Sequence, residues 1–193
     1  FAGKGFKIVD FSGDFRLDSA KTYEEWYKKP HTFIEGFDTA VYGLPELFYD
    51  KIKRAELVAN PGCYPTSAIL PLAPLLQNKL IEPKGIIIDA KSGITGAGIK
   101  ASATTHFSNV NDNFKAYGLK NHRHTIEIQG VLDGLATGVT LQFTPHLLPV
   151  DRGILSTTYA RPVGPTTGAK LKALYQGFYK NKPFVRICDT PPA

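Results

Sequence analysis

A strand that leads through a tight turn into an apolar helix constrains the fold of this chain more than any other feature. Residues 56–59 have β-type composition, and the turn Asn60-Pro61-Gly62 follows them directly. Cys63 stands where a strongly apolar, helix-like segment begins. This order predicts a strand and a buried helix joined so that the free N–H groups of the helix face the cysteine.

That placement gives the cysteine a chemical interpretation. A thiol at the positive end of a helix loses its proton more readily, and the thiolate is the nucleophile. The same N–H groups could hold an oxyanion formed when sulfur attacks a carbonyl. The alternative is an inert, buried cysteine, which a lone cysteine would favour. The turn and a pair of histidines further along the chain favour the nucleophile.

Those histidines lie at the start of a second predicted helix. His122 and His124 flank Arg123, and Glu127 follows three residues after His124. Residues three apart share a helix face, and a carboxylate beside an imidazole can hold its useful tautomer. A histidine titrating near neutrality is a natural acid/base for a thiol enzyme. A metal pair is the alternative, but no further ligand cluster with suitable spacing accompanies it, so we expect no metal.

A glycine-rich loop follows a predicted strand at residues 92–98. Its order is G-x-x-G-x-G, which differs from the dinucleotide fingerprint G-x-G-x-x-G. The loop is more simply a flexible segment whose amides could approach a phosphate or a flat ring. Candidate contacts are Ser92, Gly93, Gly96 and Gly98.

Composition limits the class of protein. The 193 residues are 42% hydrophobic, which is enough to bury a core. The two cysteines form no disulfide framework, and no apolar run is long enough for a membrane span, so we expect a cytoplasmic protein. The formal charge of +6 comes from scattered residues, which indicates a solvated basic surface rather than a nucleic-acid face and is equally compatible with small anionic substrates.

The pattern of strands and helices predicts an α/β or α+β fold with a domain boundary near Gly62. Continuous apolar composition predicts that the strand at 86–90 is buried on both faces. The apolar segment 65–78 predicts a buried helix, with a break or kink at Pro71 and Pro74. The remaining predicted strands cover residues 7–11, 57–59, 139–143, 154–160 and 184–188, and the remaining helices cover 22–29, 45–55, 125–135 and 166–180.

These motifs, taken in order, resemble the N-acetyl-γ-glutamyl-phosphate reductase family. The matching stretches are VDFSGDFRL (9–17), VYGLPEL (41–47), NPGCYPT (60–66), DAKSGITGAG (89–98), YG (117–118), HRHTIEI (122–128), FTPHL (143–147) and RGIL (152–155). The cysteine and His-Arg-His motifs are specific, whereas the glycine loop is less so. One departure is Ile126, where the family usually has proline before the glutamate.

The resemblance implies a fold and a reaction. The family is similar to aspartate-semialdehyde dehydrogenase, with a Rossmann-type domain followed by a catalytic domain built on a mixed sheet. It implies an NADPH-dependent reduction of an acyl phosphate in arginine biosynthesis. Cys63 would be the nucleophile and His122 or His124 the acid/base, with a slight preference for His122 and with Glu127 orienting it. Arg16 and Asn60 would contact the substrate, and the glycine loop would neighbour the cofactor NADP.

The resemblance also implies what this chain lacks. Residues 1–62 would be the remainder of a dinucleotide-binding domain without its glycine loop, and residues 63–193 a catalytic and oligomerisation domain without its last elements. We therefore expect a piece of a longer protein that by itself binds NADP weakly, and a homo-oligomer, either dimer or tetramer. Alternatives are an aminoadipate-type reductase of lysine biosynthesis, a cysteine hydrolase and a non-catalytic assembly domain.

Overall fold

The structure, a computed structural model, describes residues 4–191 and contains two sheets. The strands are β1 (Ile8–Asp10), β2 (Ala40–Tyr42), β3 (Leu57–Ala59), β4 (Ile86–Ser92), β5 (Lys115–Ala116), β6 (Leu141–Leu147) and β7 (Ile154–Tyr159). The helices are α1 (Ala20–Tyr27), α2 (Gly36–Thr39), α3 (Pro45–Arg54), α4 (Cys63–Gln77), α5 (Phe107–Val110), α6 (Arg123–Asp133) and α7 (Gly168–Phe178). A short 3₁₀ turn covers Ile94–Ala97.

The first sheet is parallel and has the strand order β1-β3-β2. Helix α3 connects β2 to β3, and Pro45 is its first residue, where the missing N–H costs nothing. Because β3 is the central strand, its carboxyl end is held from both sides. The turn that leads to Cys63 therefore starts from a fixed edge of the sheet.

The second sheet is mixed and has the order β5-β6-β4-β7. Strand β4 pairs parallel with β6 and antiparallel with β7. Helices α4 and α6 pack on this sheet and on each other, and the core between them contains Tyr64, Ile69, Leu72, Ile128 and Phe143. The α/β fold class with a mixed second sheet is thus confirmed.

Strand β4 is not buried on both faces as its composition predicted. Ile86 and Ile88 are fully buried, but Ile87 between them is 46% exposed. Burial alternates along the strand because the helices of the described residues cover only one face of this sheet. The other face is open to solvent.

Helix α4 passes through both of its prolines without a break, against the sequence-based prediction. Pro74 has no N–H, so the carbonyl of Leu70 one turn earlier has no intrahelical donor. The hydroxyl of Tyr179 donates to that carbonyl at 2.6 Å. A second hydroxyl, of Tyr175 in α7, donates to the carbonyl of Pro71. Packing of the C-terminal segment on α4 therefore supplies the donor that Pro74 lacks, and Tyr175 adds a hydrogen bond to a carbonyl that also faces the N–H of Leu75.

The other predicted elements have different outcomes. Strands at 7–11, 57–59 and 154–160, and helices at 45–55, 125–135 and 166–180, are present to within a few residues. The predicted strand at 184–188 is absent, and Phe184 in it is 90% exposed. β-Branched and aromatic composition alone does not make a strand, because a strand also needs pairing and packing partners.

Candidate active site

Cys63 is the first residue of α4, and its side chain is exposed. Gly62 precedes it and offers no side-chain cap, so within residues 4–191 the N–H groups of the first helical turn are not capped by the residue at the N-cap position. Pro65, two residues further on, has no N–H to satisfy. The cysteine therefore lies at an open helix N-terminus, as the sequence predicts, and its neighbour Tyr64 is buried.

The His-Arg-His motif lies against both chain neighbours of Cys63. Nε2 of His124 is so close to Gly62 that a Cβ atom at Gly62 would stand 2.4 Å from it. On the other side, the ring of Tyr64 lies 5.8 Å from His122 and 5.9 Å from His124, measured between ring centroids. The fold thus brings the two motifs together although about sixty residues separate them in sequence.

The two histidines have different surroundings. His122 is the N-cap of α6, and its Nδ1 accepts a hydrogen bond from the main-chain N–H of His124 at 3.2 Å. His124 directs Nε2 at the turn Asn60-Pro61-Gly62 that precedes Cys63, here called the cysteine turn. Its Nδ1 is buried with no hydrogen-bond partner in the described part of the chain. His122 thus has a structural task at the helix end, and His124 is the imidazole closer to the turn.

Burial keeps both imidazoles neutral. It lowers the pKa of His122 to about 4, with a further contribution from the charge of Arg123. It lowers the pKa of His124 to about 3, and the charges of His122, Arg16 and Arg123 act in the same direction. A neutral imidazole beside a thiol can accept its proton at physiological pH.

Glu127 is buried, and it contacts the cysteine turn rather than an imidazole. Its Oε1 accepts hydrogen bonds from the Gly62 N–H and from the hydroxyl of Tyr42, both at 2.8 Å. Its Oε2 lies 3.8 Å from Nη1 of Arg16. Burial raises the pKa of Glu127, and the three donors oppose that shift. Within residues 4–191 no hydrogen bond joins Glu127 to His122 or His124.

Arg16 and Asn60, the predicted substrate contacts, lie beside the turn. Nε of Arg16 donates to the main-chain oxygen of Asn60 at 2.7 Å, and Nη2 donates to that of Phe11 at 3.0 Å. The amide of Asn60 donates to the oxygen of Pro61 at 3.2 Å. Much of the donor capacity of Arg16 is thus directed at the protein itself.

The glycine loop presents few free groups. Ser92 and Gly93 are buried, and a Cβ atom at Gly93 would stand 2.7 Å from the main chain of residues 151–152. The amides of Gly93, Ile94 and Thr95 donate to main-chain oxygens of residues 150–153. Gly96 and Gly98 are exposed. The loop therefore offers a bare glycine edge to a flat ring rather than a cradle of amides to a phosphate.

One residue at this site was not among the predicted site residues. Tyr42 ends β2 and reaches Glu127 from 85 positions away in sequence. A cavity of about 500 Å³ lies beside this pair, and its lining includes Arg16, Tyr42 and Glu127 together with other polar and apolar side chains. Cys63 and the two histidines are not among the residues that line this cavity.

Two general features limit the chemistry. Among the described residues no three His, Cys, Asp or Glu side chains lie together as a metal site would require. Across residues 4–191, none of the helices combines the length and the apolar character needed to cross a membrane.

An exposed cysteine at a helix N-terminus with a neutral imidazole beside it, on a parallel sheet followed by a mixed one, is an arrangement typical of thiol enzymes of α/β fold. The chain belongs to the semialdehyde dehydrogenase dimerisation-domain family, whose sequence model matches residues 63–193.

Among individual proteins, the chain is similar to N-acetyl-γ-glutamyl-phosphate reductases. It is 53% identical over 187 residues to that of Pelotomaculum thermopropionicum, covering 96% of this chain and 54% of the relative. It is 52% identical over 185 residues to that of Moorella thermoacetica, covering 95% and 54%. The chain therefore spans about half the length of the curated relatives it matches.

Solved structures share the fold. Aspartate semialdehyde dehydrogenase II of Vibrio cholerae superimposes with a TM-score of 0.60 at 15% identity, covering 86% of this chain and 52% of that one. The enzyme of Candida albicans, solved with NADP, gives 0.57 at 12% identity, covering 87% and 48%. At such low identity these likenesses concern the fold alone.

Proposed function

We propose that this chain carries the nucleophile and the acid/base of an NADPH-dependent reductase. The reaction converts N-acetyl-L-glutamyl 5-phosphate to N-acetyl-L-glutamate 5-semialdehyde and phosphate, in arginine biosynthesis. The names of relatives that are 53% and 52% identical to this chain support this substrate. The single observation that carries the chemistry is the exposed Cys63 at an open helix N-terminus with Nε2 of His124 against the preceding residue.

In the proposed reaction Cys63 gives up its proton to a neutral imidazole, and the sulfur attacks the acyl carbon. A carbon–sulfur bond forms, and the carbon–oxygen bond to phosphate breaks with its electron pair leaving on phosphate. The N–H groups at the start of α4 can stabilise the oxyanion on the way. NADPH, when bound, supplies the hydride that reduces the thioester carbon. The thiolate then leaves and recovers its proton.

We assign the acid/base role to His124 rather than to His122. Nε2 of His124 faces the cysteine turn, whereas Nδ1 of His122 is already used to cap α6. Exchange of His124 for Gln should therefore reduce turnover more than the same exchange at His122.

The cofactor contacts follow from the state of the glycine loop. Gly96 and Gly98 are exposed and can lie against a nicotinamide ring, while Ser92 and Gly93 support the loop from beneath. The paired amides do not fit a phosphate, so we propose no phosphate contact here. Calorimetric titration of the chain with NADP tests this, since a dissociation constant below about 10 μM would require an anchoring site in these residues.

The first half-reaction gives a direct test with this chain alone. In the absence of a hydride donor, the acyl phosphate should release about one equivalent of phosphate per chain and leave a thioester on Cys63. Cys63→Ser should release none, and Cys188→Ser, which removes the other exposed cysteine, should behave as the original chain. Absence of the burst in a folded chain with intact Cys63 would contradict the proposal.

The same measurement separates the alternatives. Phosphate released continuously without a hydride donor would indicate a cysteine hydrolase. An aminoadipate-type reductase would show a faster burst with the longer acyl phosphate than with the glutamyl one. A folded chain that self-associates but gives no burst with either would indicate an assembly domain.

We also propose that the chain is a homo-oligomer formed through the open face of the second sheet. Ile87, Leu155 and Tyr159 on this face are between 46% and 65% exposed. The register places Ile87 opposite Tyr159 on neighbouring strands and Leu155 on the same face, opposite Lys91. The family description, a dimerisation domain, supports a second copy of the chain as the occupant of this face.

A further inference from the structure

We propose that Tyr42 is a positioning residue for the nucleophile and that it acts through Glu127 on the main chain before Cys63. The inference rests on the proposed role of Cys63 as the nucleophile. It assigns Glu127 to the cysteine turn rather than to the orientation of an imidazole. Together with Arg16, these side chains fix the turn Asn60-Pro61-Gly62 at both ends.

The first attachment is at Gly62, the residue directly before Cys63. The Gly62 N–H donates to Oε1 of Glu127 at 2.8 Å, and the carboxylate is 1% exposed. Glu127 lies on α6 one turn after His124, so both project from one rigid helix. The hydrogen bond therefore ties the nucleophile to the same element that carries the proposed base. The bond thereby limits how far the main chain before Cys63 can move from α6.

Tyr42 holds the carboxylate in place. Its hydroxyl donates at 2.8 Å to the same Oε1 that accepts from Gly62. Burial, followed by the charge of Glu127, raises the pKa of Tyr42 well above its usual value, so the hydroxyl remains a donor. Tyr42 pairs with Ala59 at the end of β3, which is the strand that leads into the turn. The same strand pair thus positions both the turn and the residue that orients its acceptor.

Arg16 fixes the other end of the turn. Its Nε donates to the main-chain oxygen of Asn60 at 2.7 Å, and the Asn60 N–H donates to the oxygen of Asp10 at 2.8 Å. Nη1 of Arg16 lies 3.8 Å from Oε2 of Glu127 and supplies a countercharge for the buried carboxylate. Both peptide groups that flank the turn are therefore held by side chains or strands from other parts of the fold.

The contacts of Glu127 do not support the alternative role, in which it would orient the imidazole of His124. Nδ1 of His124 is buried, and among the described residues it has no hydrogen-bond partner. Oε2 of Glu127 is likewise buried without one, although the two residues share a helix face. The carboxylate is directed at Gly62 and Tyr42. Its removal should therefore loosen the cysteine turn more than it changes the orientation of the imidazole.

Amide hydrogen exchange of this 193-residue chain, followed by NMR, tests the proposal. Tyr42→Phe removes one of the two donors to Oε1, and we expect exchange of the Gly62 amide to accelerate about five- to tenfold. The Gly93 amide, which donates to Gly153 in the second sheet, should change less than twofold. As a matched control, Tyr179→Phe removes another buried hydroxyl hydrogen bond and should leave Gly62 unchanged.

A second variant keeps the test decisive should Tyr42→Phe not fold. Glu127→Gln replaces a charged acceptor with a neutral one, and exchange at Gly62 should again accelerate, because charge-assisted hydrogen bonds are the stronger ones. The ¹⁵N shifts that report the tautomers of His122 and His124 should stay as they are. Unchanged exchange at Gly62 together with a changed His124 tautomer would overturn the proposal, because it would show that Glu127 orients the imidazole of His124.

Kinetics of the whole reductase then separate this inference from the proposed function. Tyr42→Phe should lower kcat about tenfold with KM changed less than twofold, since a displaced nucleophile affects reaction rather than binding. If Cys63→Ser retained activity while Tyr42→Phe loosened the turn, the proposed function would fail and the positioning network would stand. If Cys63→Ser abolished activity and Tyr42→Phe changed neither exchange at Gly62 nor kcat, the proposed function would stand and the positioning role of Tyr42 would fail.

Discussion

Single residues at the cysteine turn show which parts of a site can be read from sequence. Cys63 and the His-Arg-His motif were predicted because their chemistry is carried by residue type and local order. The contact between Glu127 and the Gly62 N–H spans 65 residues, and no local pattern encodes it. A carboxylate three residues after a histidine predicts a local pair, and tertiary packing directs this one elsewhere.

Gly62 illustrates a constraint that only the folded chain reveals. Its backbone angles, φ −65° and ψ 157°, suit any residue, so conformation does not require glycine here. Space does, because a Cβ atom would lie 2.4 Å from Nε2 of His124. We expect Gly62→Ala to displace the imidazole and to lower the free energy of unfolding by about 1–3 kcal/mol, measured by urea denaturation.

Gly130 provides the control for that substitution. It lies on the exposed side of α6, and nothing stands within 4 Å of a Cβ atom placed there. Gly130→Ala should stabilise the chain by about 0.5–1 kcal/mol, because alanine loses less entropy in a helix. Equal effects of the two substitutions would show that the contact with His124 carries no strain.

The buried histidine also predicts a pH dependence. The pKa of His124 is about 3 in the folded chain, against roughly 6.5 when unfolded, so the unfolded chain takes up the proton first on acidification. Its contribution is complete above about pH 6.5 and is lost as the pH falls towards 3. The free energy of unfolding of the original chain minus that of His124→Gln should therefore decrease between pH 7 and pH 5.

The raised pKa of Glu127 acts in the opposite sense and is present in both proteins. Its stabilising contribution declines as the pH rises from about 4.5, the usual value for a glutamate, through the higher folded value. Taking the difference between the two proteins isolates His124 from this background. A difference that stays constant from pH 7 to pH 5 would mean that the imidazole is already solvated or charged in the folded chain.

At the scale of elements, most helices and strands followed from sequence, and the exceptions have tertiary causes. Residues 63–77 form one helix, and the hydroxyl of Tyr179 supplies the donor that Pro74 denies to the carbonyl of Leu70, while the hydroxyl of Tyr175 adds a hydrogen bond to the carbonyl of Pro71. Those donors lie more than 100 residues further along the chain, beyond any local rule. Strand β4 was placed correctly, but the exposure of Ile87 depends on which face of the sheet the helices cover.

The role of the tyrosines can be measured by a double-mutant cycle on α4. Tyr179→Phe removes the donor to the Leu70 carbonyl and should cost about 1–2 kcal/mol of unfolding free energy. Pro74→Ala returns an intrahelical N–H to the same carbonyl, so Tyr179→Phe should cost less in that background. Strict additivity, within about 0.5 kcal/mol, would show that the hydroxyl does not replace the donor that proline lacks.

For the whole molecule, the fold class could be predicted from sequence but the arrangement of strands could not. The order β5-β6-β4-β7 joins segments by non-local pairing, and alternation of apolar residues does not say which strands are neighbours. For the same reason the open face of the second sheet could not be predicted, because the apolar run at 86–88 indicated burial on both faces of the strand. The face becomes evident only when the register places Leu155, Tyr159 and Ile87 together.

Polar groups on this face bear on how a second copy could cover it. Asp89 lies between Lys91 at 2.5 Å and Nδ1 of His146 at 3.3 Å, and the ring of Phe114 packs on His146. The charges on the face are thus paired within one copy, which lowers the cost of covering them. The hydroxyl of Tyr64, next to Cys63, donates to the main-chain oxygen of the same His146. An interface here would therefore adjoin the element that supports the site.

Substitution at Leu155 tests the interface. Leu155 is 65% exposed on β7, and in a symmetric dimer each lysine of Leu155→Lys would be buried against the partner copy. We expect the variant to shift towards the monomer mass of 21.1 kDa in sedimentation equilibrium. The dissociation constant of the dimer should rise at least about tenfold. Val163→Lys is the matched control, because Val163 is 63% exposed but lies outside the sheet. If both variants kept the association of the original chain, or if Val163→Lys alone weakened it, the open sheet face would not be the contact between subunits.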